Sequence, residues 1–211
     1  FVHLRGHGSR LLAEAVPTFS ERGHASRCDV ATDEERRRLL SSFDRRTPTG
    51  RRDHAMAICM AELGLRCVEV ARLRLSNIDW SRASLTVPAA KGGLGRVLPL
   101  PAPVATAMRD YLQIRPPTDH DFLFVGIGML AGRAVNTTTV SHAVRRACKR
   151  CGLRQAGTHR LRHAFATRLM RHGANLKEIA DLLGHRLLKT TNVYTHTAPD
   201  DLRALVRPWP E

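Results

Sequence analysis

The chain is poor in several features that would place it in other classes of protein. It has two Trp and two Tyr, which argues against recognition of nucleic acid by base stacking on aromatic side chains. No signal peptide and no apolar run long enough to cross a bilayer is visible. The five cysteines are odd in number and scattered, which disfavours a disulfide framework and favours a reducing cytoplasm. Cys148 and Cys151 form a lone CxxC, better explained by two partly buried thiols than by zinc.

Acidic residues are also scarce. The chain has 34 Lys and Arg against 19 Asp and Glu, a formal charge of +15 and a pI near 11.1. This excess favours a polyanionic partner, and nucleic acid over a membrane surface, because no single basic amphipathic helix carries it. With few aromatics, double-stranded DNA bound through its phosphates is the expected ligand. The predicted DNA-contacting residues are Arg145, Arg146, Lys149 and Arg160, although a solvated face explains the first three equally well.

The pattern of apolar residues predicts an α+β fold, mainly α-helical with a small three-stranded antiparallel sheet. The strands are expected near 77–80, 84–87 and 96–100, with Lys91 on the glycine-rich turn of the second hairpin. Thr32 and Glu35 form a capping box that begins a helix reaching about Phe43. Residues 47–50 are expected to break the chain before a helix over 51–63 that Gly64 ends. Further helices are predicted near 101–112, 136–151, 158–171 and 176–183.

One stretch, from Thr158 to His163, carries an unusual group of polar side chains on an otherwise apolar helix. His159, Arg162 and His163 fall at i, i+3 and i+4 and therefore share one helix face. A cation beside two imidazoles suits the binding and protonation of a phosphate better than it suits a protein core. His163 is expected to support the other two rather than to react.

Other candidates lie far away along the chain. Arg66 begins a short helix after the Gly64 break, where a guanidinium would add to the anion preference of a helix N-terminus, and Glu69 would orient it. Tyr111 has the pattern of a core residue, which leaves Tyr194 as the candidate nucleophile. The catalytic set is thus Arg66, Lys91, His159, Arg162, His185 and Tyr194, with Glu69 and His163 supporting them.

These residue types could carry out phosphoryl transfer without a cofactor. The two arginines would hold the phosphate, His159 would act as general acid or base, Lys91 would protonate the leaving oxygen, and His185 would donate to a phosphate oxygen. No carboxylate cluster of the kind that two-metal nucleases use and no Walker loop is present. No metal or cofactor is therefore expected.

The same residues closely resemble the catalytic domain of the tyrosine recombinases, the phage-integrase family, over roughly 32–197. The resemblance rests on Leu63-Gly64-Leu65-Arg66 with Glu69, on Lys91 in its hairpin, on His159-Arg160-Leu161-Arg162-His163, and on Leu182-Leu183-Gly184-His185 followed by Tyr194. Each motif alone is weak, but their order and separations together are specific.

The resemblance implies a 3′-phosphotyrosyl intermediate, a 5′-hydroxyl leaving group and a homotetramer on two DNA duplexes, while the free fragment is also compatible with a monomer. It implies that residues 1–24 are the remnant of an N-terminal core-binding domain and linker. Residues 25–211 would form the catalytic domain, with a tail helix near 199–207 that packs on a neighbouring protomer. A bacterial cytoplasmic location at the nucleoid follows. Two alternatives stay open, a non-catalytic DNA-binding relic and a type IB topoisomerase-like relaxing enzyme.

Overall fold

The computed structural model describes residues 31–89, 95–153 and 157–184. Within them lie seven α-helices and one sheet, so the predicted α+β class is confirmed. The helices are α1 (Asp33–Ser41), α2 (Pro48–Leu63), α3 (Cys67–Arg72), α4 (Ala102–Leu112), α5 (Thr137–Arg150), α6 (Thr158–Arg171) and α7 (Leu176–Leu183). The strands are β1 (Ile78–Asp79), β2 (Ser84–Val87) and β3 (Arg96–Pro99), and short 3₁₀ turns lie at Leu75–Asn77 and Gly128–Leu130. The predicted segment before residue 25 and the tail helix lie outside the described residues.

Local side chains explain where the first two helices begin. Thr32 Oγ1 accepts from the Glu35 amide at 3.1 Å, and Glu35 Oε2 accepts from the Thr32 amide at 2.9 Å, which confirms the capping box. The predicted chain break at 47–50 is wrong. Thr47 Oγ1 accepts from the Gly50 amide at 3.0 Å, and the helix already starts at Pro48. A proline at the first helical position has a suitable φ and needs no hydrogen bond there, so it starts this helix instead of ending one.

Helix α2 is the centre of the domain. It packs against α4, α5 and α6, and its residues from Ala55 to Ala61 are all buried. A helix that is apolar on every side needs neighbours on every side. Gly64 ends it in the left-handed conformation with φ of 62°, as predicted. Because α2 is fixed on all sides, the position of its C-terminal end is fixed as well.

The sheet is an antiparallel meander in the order β1-β2-β3. Leu85 pairs with both Ile78 and Leu98, and Val87 pairs with Arg96. Leu85, Val87 and Leu98 are buried, whereas Val97 is half exposed. Side chains alternate along a strand, so Arg96 points to the same inner face as Leu98. Strand β3 also packs against α7.

Tyr111 is fully buried, in agreement with its predicted place in the core. Its hydroxyl accepts a hydrogen bond from the Val125 amide at 3.0 Å. Its ring stacks on Phe124 with 5.4 Å between centroids. These contacts fasten the loop after α4 to the core. None of the helices in the described ranges is long and apolar enough to cross a membrane.

Candidate active site

The candidate site lies where the C-terminal ends of α2 and α7 meet the first turns of α3 and α6. Both α2 and α7 end at a left-handed glycine, Gly64 with φ of 62° and Gly184 with φ of 64°. The last carbonyl groups of a helix have no partner within the helix and carry its negative dipole end. Two such ends in one place attract cations.

Arg162 on α6 is the cation that these carbonyl groups hold. Its Nη1 donates to the Gly64 carbonyl oxygen and its Nη2 to the Leu183 carbonyl oxygen, each at 2.6 Å. Burial lowers the pKa of this guanidinium to about 9, and the charges of Arg66 and Arg96 act in the same direction, against Glu69. Arg162 is therefore still charged at neutral pH. Because a guanidinium has five N–H donors, some remain for an anion.

Arg66 stands at the N-cap of α3 and reaches the same place. Its amide donates to Glu69 Oε2 at 2.7 Å, and its Nη1 donates to Glu69 Oε1 at 3.1 Å. The same Nη1 lies 3.2 Å from the Leu183 carbonyl oxygen that Arg162 also uses. The expected Arg66–Glu69 pair is thus present. The Arg66 side chain is 37% exposed, so it faces the solvent side of the cluster.

Glu69 is buried in the middle of the cluster and receives a second arginine that the sequence did not single out. Arg96 donates from Nη1 to Oε1 at 2.9 Å and from Nη2 to Oε2 at 3.0 Å. Burial raises the pKa of Glu69, but the hydrogen bonds and charge of Arg96, the Arg66 amide and the charge of Arg162 outweigh it, and the pKa is lowered. The carboxylate is therefore ionised. The signal for Arg96 was available, since alternation from buried Leu98 puts position 96 on the inner face.

The two histidines of α6 differ in exposure. His159 lies on the first turn and is exposed, three residues before Arg162, where a ligand can reach it. His163 is only partly exposed, and burial, followed by the charges of His159 and Arg162, lowers its pKa. A neutral imidazole next to the arginines fits the supporting position expected for His163.

The predicted DNA-contacting residues fall into two groups. Arg145 and Lys149 are exposed on α5, and Arg146 is exposed but pairs with Asp53 at 3.0 Å. The Arg160 side chain is only 15% exposed and pairs with Glu35 at 3.3 Å. Contact with DNA remains a prediction for all four.

The structure brings together Arg66, Glu69 and Arg162 from the predicted set, adds Arg96, and places His159 on the same helix as Arg162. Lys91, His185 and Tyr194 lie outside the described residues. One carboxylate faces three guanidiniums, so this part of the site has a formal charge of +2. Such a site suits an anion with several oxygen acceptors, such as a phosphodiester.

Comparison with known structures gives the class of this fold. The chain matches the crystal structure of XerA recombinase with a TM-score of 0.65 and 27% identity, over 85% of this chain and 65% of that one. The described domain therefore has the fold of a tyrosine recombinase catalytic domain. The chain belongs to the phage integrase family, whose pattern it matches over residues 30–200.

Two relatives add to this assignment. One relative is the "Putative integrase/recombinase y4rA" of Sinorhizobium fredii. It is 39% identical over the whole of this chain and 52% of its own length. The tyrosine recombinase XerA of Thermococcus onnurineus is 33% identical over 82% of this chain and 59% of its own length. The chain thus spans a little over half the length of these curated relatives.

Proposed function

We propose that this chain is the catalytic part of a site-specific DNA recombinase that cleaves and rejoins strands through a 3′-phosphotyrosine, without metal or ATP. The observation that carries the proposal is the convergence of Arg66 and Arg162 on one carbonyl oxygen, that of Leu183, at 3.2 and 2.6 Å. Two guanidiniums that share an acceptor are close enough to share the oxygens of one phosphate. Family membership supports the same conclusion.

In the proposed reaction, the Tyr194 phenolic oxygen attacks the scissile phosphorus. The bond between tyrosine and phosphorus forms as the bond to the 5′-oxygen breaks. Arg66 and Arg162 hold the two non-bridging oxygens, on which negative charge grows as the pentacoordinate transition state forms. A fixed formal charge of +2 matches this state better than the single charge of the resting phosphodiester, which is the condition for catalysis by differential binding.

The proton transfers are assigned to the remaining predicted residues. The tyrosine proton leaves to His159 or to solvent, Lys91 protonates the leaving 5′-oxygen, and His185 donates to a phosphate oxygen. Rejoining reverses these steps, with the 5′-hydroxyl as nucleophile and tyrosine as leaving group. Since the phosphotyrosyl bond keeps the energy of the phosphodiester, no ATP is needed.

The substrate is double-stranded DNA, held mainly through its phosphates by the basic surface. The full protein would act in the bacterial cytoplasm as a homotetramer that joins two duplexes, with the tail helix near 199–207 exchanged between protomers. The family match and the positive charge of the chain support DNA as the partner, and the tetramer with its exchanged tail helix is part of the proposal.

A suicide substrate tests the chemistry directly. DNA nicked next to the cleavage site loses a short 5′-hydroxyl fragment after cleavage and traps the covalent adduct, which a denaturing gel detects. Tyr194→Phe should abolish the adduct, whereas Tyr111→Phe, at the chain's other tyrosine, should retain it. An adduct that persists in Tyr194→Phe would refute the nucleophile, and DNA binding without any adduct would indicate a non-catalytic relic. Relaxation of supercoils without strand exchange by the full-length protein would indicate a topoisomerase-like enzyme.

A further inference from the structure

Arg96 lies between three parts of the site, which are strand β3, Glu69 on α3 and the end of α7. It begins β3, five residues after Lys91 in the sequence. Its two terminal nitrogens bind both oxygens of Glu69, at 2.9 and 3.0 Å. The side chain is 13% exposed, so the pair is largely removed from water. A planar, two-point pair of this kind fixes the orientation of a carboxylate as well as its position.

Glu69 has its acceptor sites filled by the two arginines. Oε1 accepts from Arg66 Nη1 and Arg96 Nη1, and Oε2 accepts from the Arg66 amide and Arg96 Nη2. Four donors saturate the lone pairs of a carboxylate. The position of Arg66 therefore depends on Glu69, and that of Glu69 depends on Arg96.

The side chain of Arg96 also packs against Gly184, at the end of α7. A Cβ on Gly184 would lie 2.7 Å from Arg96 Nη1 and 3.3 Å from its Cζ. Gly184 directly precedes His185 and directly follows Leu183, whose carbonyl oxygen accepts from Arg66 and Arg162. Arg96 thus packs against the backbone next to Leu183, whose carbonyl oxygen Arg66 and Arg162 share.

Arg96 is directed at Glu69 and not at the solvent side of the site. Both of its terminal nitrogens are used by Glu69, and its Nε is buried with no hydrogen-bond partner within the described residues. Arg66, in contrast, is 37% exposed. We propose that Arg96 is a positioning residue for strand cleavage, which holds the Glu69 carboxylate in the orientation that sets Arg66 for the scissile phosphate. This inference rests on the proposed recombinase function and adds a residue to it.

The positioning role of Arg96 predicts the direction in which the pKa of Glu69 changes when Arg96 is removed. The charged groups facing Glu69 are Arg66 at the start of its own helix, Arg96 from β3 and Arg162 from α6. Burial favours the neutral acid, whereas the hydrogen bonds and charge of Arg96, then the Arg66 amide and the charge of Arg162, favour the carboxylate and lower the pKa of Glu69. Removal of Arg96 should therefore raise the pKa of Glu69. A protonated Glu69 cannot accept from Arg66 at both oxygens, so the site should lose activity as pH falls through the raised pKa.

The first test titrates Glu69 in the full chain by ¹³C NMR of its carboxyl group. Arg96→Met should raise the pKa of Glu69. The control is Arg82→Met, which removes one charge from the turn at the other end of the same sheet, where the Arg82 side chain is 84% exposed. This control should leave the Glu69 titration unchanged. An unchanged titration in Arg96→Met would overturn the proposal, and this measurement does not depend on catalysis.

The second test measures the single-turnover rate of suicide-substrate cleavage against pH. Arg96→Met should slow cleavage roughly 100-fold, the scale expected for misplacement of a catalytic group by about 1 Å, with a further fall toward acid pH. Arg96→Lys keeps the charge but loses the two-point pair, so it should recover part of the rate. Arg82→Met should cleave like the wild type.

A double-mutant cycle separates positioning from general stability. In a Glu69→Gln background, the addition of Arg96→Met should slow cleavage little further, because the two residues act in series. Fully additive losses would overturn the proposal even if each single variant is slow. If the wild-type chain forms no adduct, the recombinase function fails, and the NMR titration still decides whether Arg96 controls Glu69.

Discussion

Arg66 and Arg162 donate hydrogen bonds to the same atom, the carbonyl oxygen of Leu183, over 3.2 and 2.6 Å. This oxygen ends α7, so the negative end of a helix dipole lies between the two cations. This carbonyl oxygen offsets part of the repulsion between the two arginines, and the Glu69 carboxylate offsets a further part. Burial, followed by the repulsion from Arg66, lowers the pKa of Arg162. An anion bound to both guanidiniums would relieve this repulsion.

The first prediction compares two left-handed glycines. Gly152 has φ of 66° and Gly184 has φ of 64°, so Ala at either position should cost roughly 1–2 kcal/mol in the free energy of unfolding, measured with urea. A Cβ at Gly152 has nothing within 4 Å, whereas a Cβ at Gly184 would displace the end of Arg96. Only Gly184→Ala should therefore slow suicide-substrate cleavage. Equal cleavage rates in the two variants would contradict a role for the Arg96 contact.

The second prediction concerns the salt dependence of DNA binding. Lys149 is exposed on α5. If it contacts a phosphate, Lys149→Gln should reduce the slope of log K against log salt by about 1, because one fewer counterion is released. Fluorescence anisotropy of a labelled duplex over a KCl series measures the slope. Arg37→Gln, on the exposed face of α1 where Arg37 pairs with Glu34, is the control and should keep the wild-type slope. Equal slopes in wild type and Lys149→Gln would remove Lys149 from the interface.

The third prediction concerns His54 on α2, away from the site. Burial lowers its pKa from 6.5 to about 4, the charge of Arg45 adds to this, and Asp110 opposes it. Between these values the unfolded chain binds a proton that the folded chain does not, so stability is lost as pH falls from 6.5 to 4. His54→Phe should remove roughly 2 kcal/mol of this pH dependence, less than the full shift because the ring is only partly buried. Urea unfolding at pH 7, 5.5 and 4 measures it, and parallel curves for the two proteins would show that His54 does not titrate on unfolding.

Local patterns in the sequence predicted most element boundaries, for physical reasons that act over a few residues. The capping residues Thr32 and Asn175 each bond an amide three residues ahead, and Gly64 and Gly184 adopt a conformation that other residues avoid. The one clear error came at Pro48, because proline breaks a helix in its interior but begins one at its first turn. The capping residue Thr47, directly before Pro48, indicates that the proline begins a helix.

Some of the predicted site residues lie close together in the structure. Arg66, Glu69 and Arg162 meet, as their spacing and the family resemblance implied, and His159 shares the helix of Arg162. Lys91, His185 and Tyr194 remain predictions, as do the domain division and the residues assigned to DNA contact. The sequence missed Arg96, since a single charged residue at the start of a strand resembles many solvated ones. Alternation with Leu98 places Arg96 on the inner face, but its two-point pair with Glu69 is seen only in the tertiary structure.

The stretch from Thr158 to His163 illustrates the division between sequence and structure. The sequence alone determined that His159, Arg162 and His163 share a helix face, because helical geometry is local. It also determined the charge of the chain and the residue types that favour phosphate chemistry. Tertiary structure alone decided which atoms Arg162 meets, the carbonyl oxygens of Gly64 and Leu183 at the ends of two other helices. It also decided that Arg96 turns inward to Glu69, because these contacts join residues that only the packing around α2 brings together.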